Sequence, residues 1–343
     1  MSAARLFRWI TVFLLVRFVW GGASAEELQL GPLEKPRPRE LLVPQGEEPF
    51  DIYEALNGSF SSAEQCAKVP NGLWIEVDGR GDCIRYYASG LDGGGGNPKV
   101  LVYFGGDAML RTSKGVRFIG ETYERQSPAG IQSDMAQWSR QGGVPAIHIA
   151  RPGLYGSSGD HNMRRLPREI ALMNAALDAV KKRYEISDFI LAGQSGGGHI
   201  VASLLTRRKD ISAAVIASGL VSVKQVVSYW DQRRKVPDWM IYDTRDFVDP
   251  IDGIDLIDKD RPPQIYVISD PEDRVVPFVS QLRYVRRLRA AGFDPRHVYA
   301  HATDKNRHGL ALYARLAAAL IARDEQPKEI FRALDDLDLE HIQ

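Results

Sequence analysis

From Lys99 onward the chain alternates two hydrophobic patterns. Short, almost wholly apolar runs are "KVLVYF", "PAIHIA", "DFILAG", "AAVIASG", "QIYVISD" and "RHVYAHA". Between them lie longer stretches whose apolar residues recur every three or four positions: "AGIQSDMAQWSRQGG", "PREIALMNAALDAVKKRYE", "GGHIVASLLTRR", "SQLRYVRRLRAAG" and "GLALYARLAAALIARD". The first pattern predicts strands and the second helices. Strands apolar on both sides, alternating with helices, predict an α/β fold with a mostly parallel central sheet and helices on both faces. Ahead of this array, "CAKVPNGLWIEVDGRGDCIRYYAS" reads as two strands joined by the turn "VDGRGD". In a parallel sheet, chemistry gathers in the loops at the carboxyl ends of the strands.

The ends of the chain read differently. "MSAARLFRWITVFLLVRFVWGGASAEE" carries Arg5 and Arg8, then an apolar stretch from Trp9 to Trp20, then Ala23-Ser24-Ala25. This fits a secretory signal over residues 1–25, cleaved after Ala25. Arg17 interrupts the apolar stretch, which is also shorter than the roughly 20 residues of a spanning helix. No stable membrane insertion is expected after cleavage; an uncleaved N-terminal anchor is the alternative. Residues 26–49 are rich in proline and charge without a period, as in a linker or loosely held arm. Residues 50–343 then form the folded domain.

Lys and Arg number 44 and so do Asp and Glu. With no basic stretch, nothing draws the chain to nucleic acid. Arg283, Arg286, Arg287 and Arg289 read as a solvated helix face. In an exported chain, Cys66 and Cys83 form a disulfide that stabilises by roughly 3 kcal/mol; otherwise they are two buried thiols. Neither has a second Cys or a His at ligand spacing, so no metal is implied. "DGGGGNP", Asp92 to Pro98, lacks the Lys-Ser/Thr ending of a phosphate loop and reads as a turn. The aspartates 243, 246, 249, 252, 255 and 258 read as an acidic, solvated surface with helix caps. Their spacing is not that of a calcium loop. Segment 222–263 is a possible lid-like insertion. Its Tyr229, Trp230, Trp239 and Tyr242 either line a substrate pocket or pack as a satellite core.

The candidate chemistry lies in "FILAGQSGGGHIVASLL". Ser195 follows a strand and precedes a helix, so a sharp turn lifts its hydroxyl above the sheet. Gly193 and Gly197 let neighbouring chain pass close by, and the N–H of Gly196 opens the helix as an oxyanion donor. A serine hydroxyl needs a base. His148 lies inside a strand run, His199 in the helix after the serine and His297 at a strand start. His308 lies in the loop after the last strand and is the candidate, with His301 as the alternative. The imidazole needs an acid in turn. "YVISDPEDRVVPF" offers Asp273, ahead of Val276-Pro277, while Asp270 reads as a turn cap.

Together, "GQSGGG" at 193–198, D-x-x-V-P from Asp273 to Pro277, His308 before a helix and "RPGLYGSSG" from Arg151 to Gly159 carry a resemblance. The chain resembles the α/β-hydrolase superfamily, in the branch of dienelactone hydrolases and prolyl-oligopeptidase catalytic domains. It departs where many esterases carry H-G-G-G: here "FGGD" leaves Gly106 or Asp107 to give the second oxyanion N–H. Arg151 and Tyr155 either support this loop system or touch substrate. The resemblance implies a serine hydrolase with a Ser195–His308–Asp273 triad, no metal or organic cofactor, and carboxylic esters as substrates; with the N-terminal signal pattern the expected enzyme is exported, periplasmic or secreted. A peptidase taking short peptides and a non-catalytic binding protein on the same scaffold are the alternatives.

Overall fold

The hairpin expected ahead of the array forms β1 (Gly72–Val77) and β2 (Arg80–Ser89), paired antiparallel. These open an eight-stranded sheet seen in a computed structural model that describes residues 29–91, 96–234 and 243–342. The apolar runs supply the other strands: β3 (Asn97–Phe104), β4 (Ala146–Ile149), β5 (Ile186–Gln194), β6 (Ile211–Ala217), β7 (Gln264–Ser269) and β8 (Arg296–Tyr299). Their order across the sheet is β1-β2-β4-β3-β5-β6-β7-β8. From β4 to β8 every neighbouring pair is parallel, and β2 runs antiparallel to β4.

Side chains alternate between the two faces along each strand, so both faces must be covered. On one face Leu101, Ile190, Val215 and Ile268 pack with α1 (Pro128–Gly142), α6 (Ala311–Ala322) and α7 (Pro327–Ile342). On the other, Val100, Leu191, Ile216 and Val267 pack with α2 (Pro167–Tyr184), α3 (Gly196–Leu205) and α5 (Phe278–Ala290). Fully burying one such aliphatic side chain stabilises by roughly 1.5–3 kcal/mol. The arginines of α5 lie on its outer side, while Tyr284, Val285 and Leu288 face the sheet.

Two features depart from the pattern-based expectations. Helix α7 was not anticipated; its Ile330 and Leu334 are buried against α6 and the sheet. Residues 29–49, expected as a linker or loose arm, are docked instead. Gln29–Leu30 pairs with Arg117–Phe118, Arg39–Glu40 pairs with Ser59–Phe60, and Arg85 Nη1 donates to the Pro44 carbonyl at 3.0 Å. Isolated anchors, Leu30 and Leu41, are buried while the residues between them are not, which is why no period announces the contact. The segment 222–263 is partly described: α4 (Val223–Arg234) and a 3-10 turn, Pro250–Leu256. Val223, Val226 and Trp230 of α4 pack against Val275 and Val276 in the loop after β7. Trp239 and Tyr242 lie outside the described residues, as do residues 1–25 and the glycines 93–95. Cys66 and Cys83 form the disulfide, joining the end of a short helix to β2. No helix among the described residues is long and apolar enough to cross a membrane.

Candidate active site

Ser195 joins β5 to α3 with φ 56° and ψ −117°, a conformation an L-residue adopts only when its surroundings force it. Its N–H donates to the Ala217 carbonyl at 2.9 Å, and its own carbonyl accepts from His199 and Leu220. The flanking glycines are a steric necessity. A Cβ on Gly193 would collide with the Gly197 carbonyl, and one on Gly197 with the carbonyl of Phe104. One on Gly198 would stand 2.9 Å from Gly219 Cα. The turn is thus wedged between the ends of β3 and β6, with the first N–H groups of α3 free for an anion.

Asp273 and His308 come from loops far apart in sequence. Asp273 Oδ1 accepts from the N–H groups of Val275 (2.8 Å) and Val276 (2.9 Å), which fixes the carboxylate. His308 Nδ1 lies 2.9 Å from Asp273 Oδ2 and 3.1 Å from Oδ1. The histidine loop is tied by Asp304, which accepts from the backbone N–H groups of Asn306, His308 and Gly309. Burial disfavours the Asp304 carboxylate, but these three hydrogen bonds outweigh it and lower its pKa. Gln194, the residue before Ser195, donates its side-chain amide to the His308 carbonyl at 3.0 Å. The imidazole loop is therefore fastened to the serine turn. Among the described hydrogen bonds none joins His308 Nε2 to Ser195 Oγ. Bonds of this kind are often long before substrate arrives and tighten in the complex.

The other candidates take other positions. His301 Nδ1 pairs with Asp338 of α7 at 3.1 Å. Asp270 accepts from Glu272 and Ala302 and pairs with Arg307, as a turn cap does. His199 is buried with Nε2 2.8 Å from the Val248 carbonyl, and His297 stacks on Phe278. His148 on β4 is buried beside the loop that follows β3.

That loop, Gly105-Gly106-Asp107, passes along the serine turn: a Cβ on Gly106 would stand 3.5 Å from Ser195 Cβ. What the sequence reading missed is the Asp107 carboxylate. It accepts from Arg151 Nη1 (2.9 Å), Arg164 Nε (3.1 Å) and Arg165, and lies against the Cα of Gly196. Burial opposes its ionisation, yet Arg165, Arg151 and Arg164 together hold the carboxyl well below the usual range. Arg151, at 2% exposed, also donates to Glu169 through Nε (2.9 Å) and Nη2 (2.7 Å). The Arg of "RPG" is thus a strut under the loop. A cavity of about 340 Å³ opens beside Gly105, Gly106, Asp107 and Gln194, and Tyr155 lines it.

The acidic segment resolves into pairs and caps. Asp249 accepts from the N–H groups of Val223 and Lys224, capping α4, while Asp243, Asp252 and Asp255 pair with Arg245, Lys224 and Arg287. Among the described residues no group of three or more His, Cys, Asp or Glu is placed to hold a metal ion.

No family model matches the chain, and no curated protein does. Solved structures do. An esterase from Pyrococcus furiosus aligns over 83% of this chain and 97% of its own, with TM-score 0.51 and 12% identity. Est1E from Butyrivibrio proteoclasticus, with ferulic acid bound, covers 79% of this chain and 99% of its own (TM-score 0.49, 15% identity). An acylaminoacyl peptidase in complex with a chloromethyl ketone covers 75% of this chain (TM-score 0.48, 14% identity). This chain spans only 41% of that peptidase's length. With the strand order described above, the likeness to the Pyrococcus furiosus esterase identifies the architecture: the chain has the α/β-hydrolase fold.

Proposed function

We propose that the chain is an exported serine hydrolase of carboxylic esters. Ser195 Oγ attacks the ester carbonyl carbon while His308 Nε2 takes its proton. The imidazolium, held at Nδ1 by Asp273, returns that proton to the departing alkoxide. Water then repeats the sequence in reverse on the acyl-enzyme, releasing the acid. The N–H of Gly196 and one from Gly106 or Asp107 receive the developing oxyanion. A donor of this kind supplies about 3–4 kcal/mol of transition-state stabilisation. One observation carries the reading: a serine held in a forced backbone conformation at a helix N-terminus, with an aspartate-paired imidazole fastened to the preceding residue. The Cys66–Cys83 bridge and the Ala23-Ser24-Ala25 pattern support export. Substrates are small esters, with short peptides as the rival class.

Turnover of p-nitrophenyl esters by the purified chain, beside Ser195→Ala, tests this. We expect the substitution to lower kcat by about 10³-fold or more. Ester turnover that survives it contradicts the assignment, and faster turnover of aminoacyl anilides than of esters would make the chain a peptidase.

A further inference from the structure

The cavity beside the Gly105–Asp107 loop carries polar groups that its own protein leaves unanswered. Its walls include Ala108, Ile131 and Met135 together with the rings of Tyr103, Tyr123, His148 and Tyr155. His148 packs edge to face on two of those rings, 5.7 Å from Tyr103 and 5.5 Å from Tyr155 at interplanar angles of 84° and 68°, and Tyr123 lies tilted against Tyr155 at 4.7 Å. Tyr155 itself is gripped. Its φ is 50°, the Tyr87 hydroxyl donates to its carbonyl at 2.8 Å, and its own N–H donates to the Tyr123 hydroxyl oxygen at 3.3 Å. By contrast, among the described hydrogen bonds none reaches the Tyr103 hydroxyl, the Tyr155 hydroxyl or either nitrogen of His148.

These atoms line the cavity, where the polar groups of a bound ligand can pair with them. The cavity's charge state narrows what that ligand is. Burial, with the Arg315 charge adding, pushes the His148 imidazole down to about 4, so it is neutral at ordinary pH. Arg315, on the same wall, already pairs with Asp134 at 3.3 Å. The site therefore offers neutral donors and acceptors among apolar and aromatic walls, and its Arg315 is already paired with Asp134.

We propose that this cavity is a specificity pocket for an uncharged, hydroxyl-bearing aromatic ring, so that the preferred substrates are esters with a phenolic ring on one arm. Aromatic walls suit a flat ring, and a ring hydroxyl pairs with the groups left open at His148, Tyr103 and Tyr155. The pocket borders the loop that would hold the ester carbonyl, so the ring stands a few bonds from the reacting carbon. This rests on the serine hydrolase reading for its chemistry but not for its binding.

Two ester pairs test it, each differing by one hydroxyl that is not conjugated with the carbonyl. The acid-side pair is methyl 3-(4-hydroxyphenyl)propanoate and methyl 3-phenylpropanoate. The alcohol-side pair is 2-(4-hydroxyphenyl)ethyl acetate and 2-phenylethyl acetate. We expect kcat/KM to favour the hydroxylated member of one pair by at least about tenfold, which also tells which arm the pocket takes. In Tyr155→Phe, which keeps the ring, that ratio should fall about threefold to tenfold. Binding of 3-(4-hydroxyphenyl)propanamide and 3-phenylpropanamide to Ser195→Ala, followed by calorimetry, is read independently of turnover. Tighter binding of the phenol with no ester hydrolysed would leave the pocket standing and remove the reaction. Ratios near one in both ester pairs, or equal affinity for the two amides, overturn the pocket.

Discussion

Each residue of the proposed triad, Ser195, His308 and Asp273, carries a local signal in the sequence: glycines around a strand-to-helix serine, a histidine before a helix, an aspartate ahead of Val-Pro. The Asp107 carboxylate was not, because its partners Arg151, Arg164 and Arg165 lie more than forty positions away and meet it only once β3 and β4 stand side by side. Single residues also set a pH dependence. Glu54 is buried and accepts from the Leu42 N–H at 2.5 Å. Burial, opposed by that hydrogen bond, pushes its carboxyl from 4.5 up to about 7. A folded-state pKa above the unfolded value means the folded chain holds the proton more tightly, so this group's contribution to stability falls as pH rises from about 4.5 to about 7. Glu54→Gln removes the titration. Its urea midpoint, relative to wild type, should therefore be higher at about pH 8 than at about pH 5; a difference independent of pH would place the Glu54 titration elsewhere.

At the scale of elements, two tethers can be cut separately. The bridge between Cys66 and Cys83 closes a loop with a sequence separation of 17. Replacing both cysteines by serine should lower unfolding free energy by roughly 3 kcal/mol, measured in urea, with ester turnover retained at low denaturant. The Arg151 strut behaves differently. Arg151→Met leaves the buried Glu169 without its guanidinium partner and leaves Asp107 held by Arg164 and Arg165 alone, so a loss of about 3–5 kcal/mol is expected. Among molecules still folded, kcat should fall more than KM rises, since the proposed oxyanion role of the loop acts in the transition state. Full turnover in folded Arg151→Met would show that the loop holds itself. Helix α7 illustrates what pattern alone conceals. Ile330 and Leu334 are its buried pair, a narrow stripe among charges that reads as a polar tail until α6 is there to receive it.

For the molecule as a whole, the sheet was legible because a layer buried on both faces admits few polar residues, and its strands stand out as continuous apolar runs. The docking of residues 29–49 was not, since backbone pairing and two isolated leucines leave no periodic trace. What the whole molecule must achieve is convergence of the turn after β5 with the loops after β7 and β8 at one edge of that sheet. The most direct test is covalent: treat the purified chain with a fluorophosphonate, digest it and map the adduct by mass spectrometry. The account predicts one adduct, on the Ser195 peptide, abolished in Ser195→Ala and strongly slowed in His308→Asn. An adduct on another residue, or none while a control hydrolase is labelled in the same tube, would contradict it.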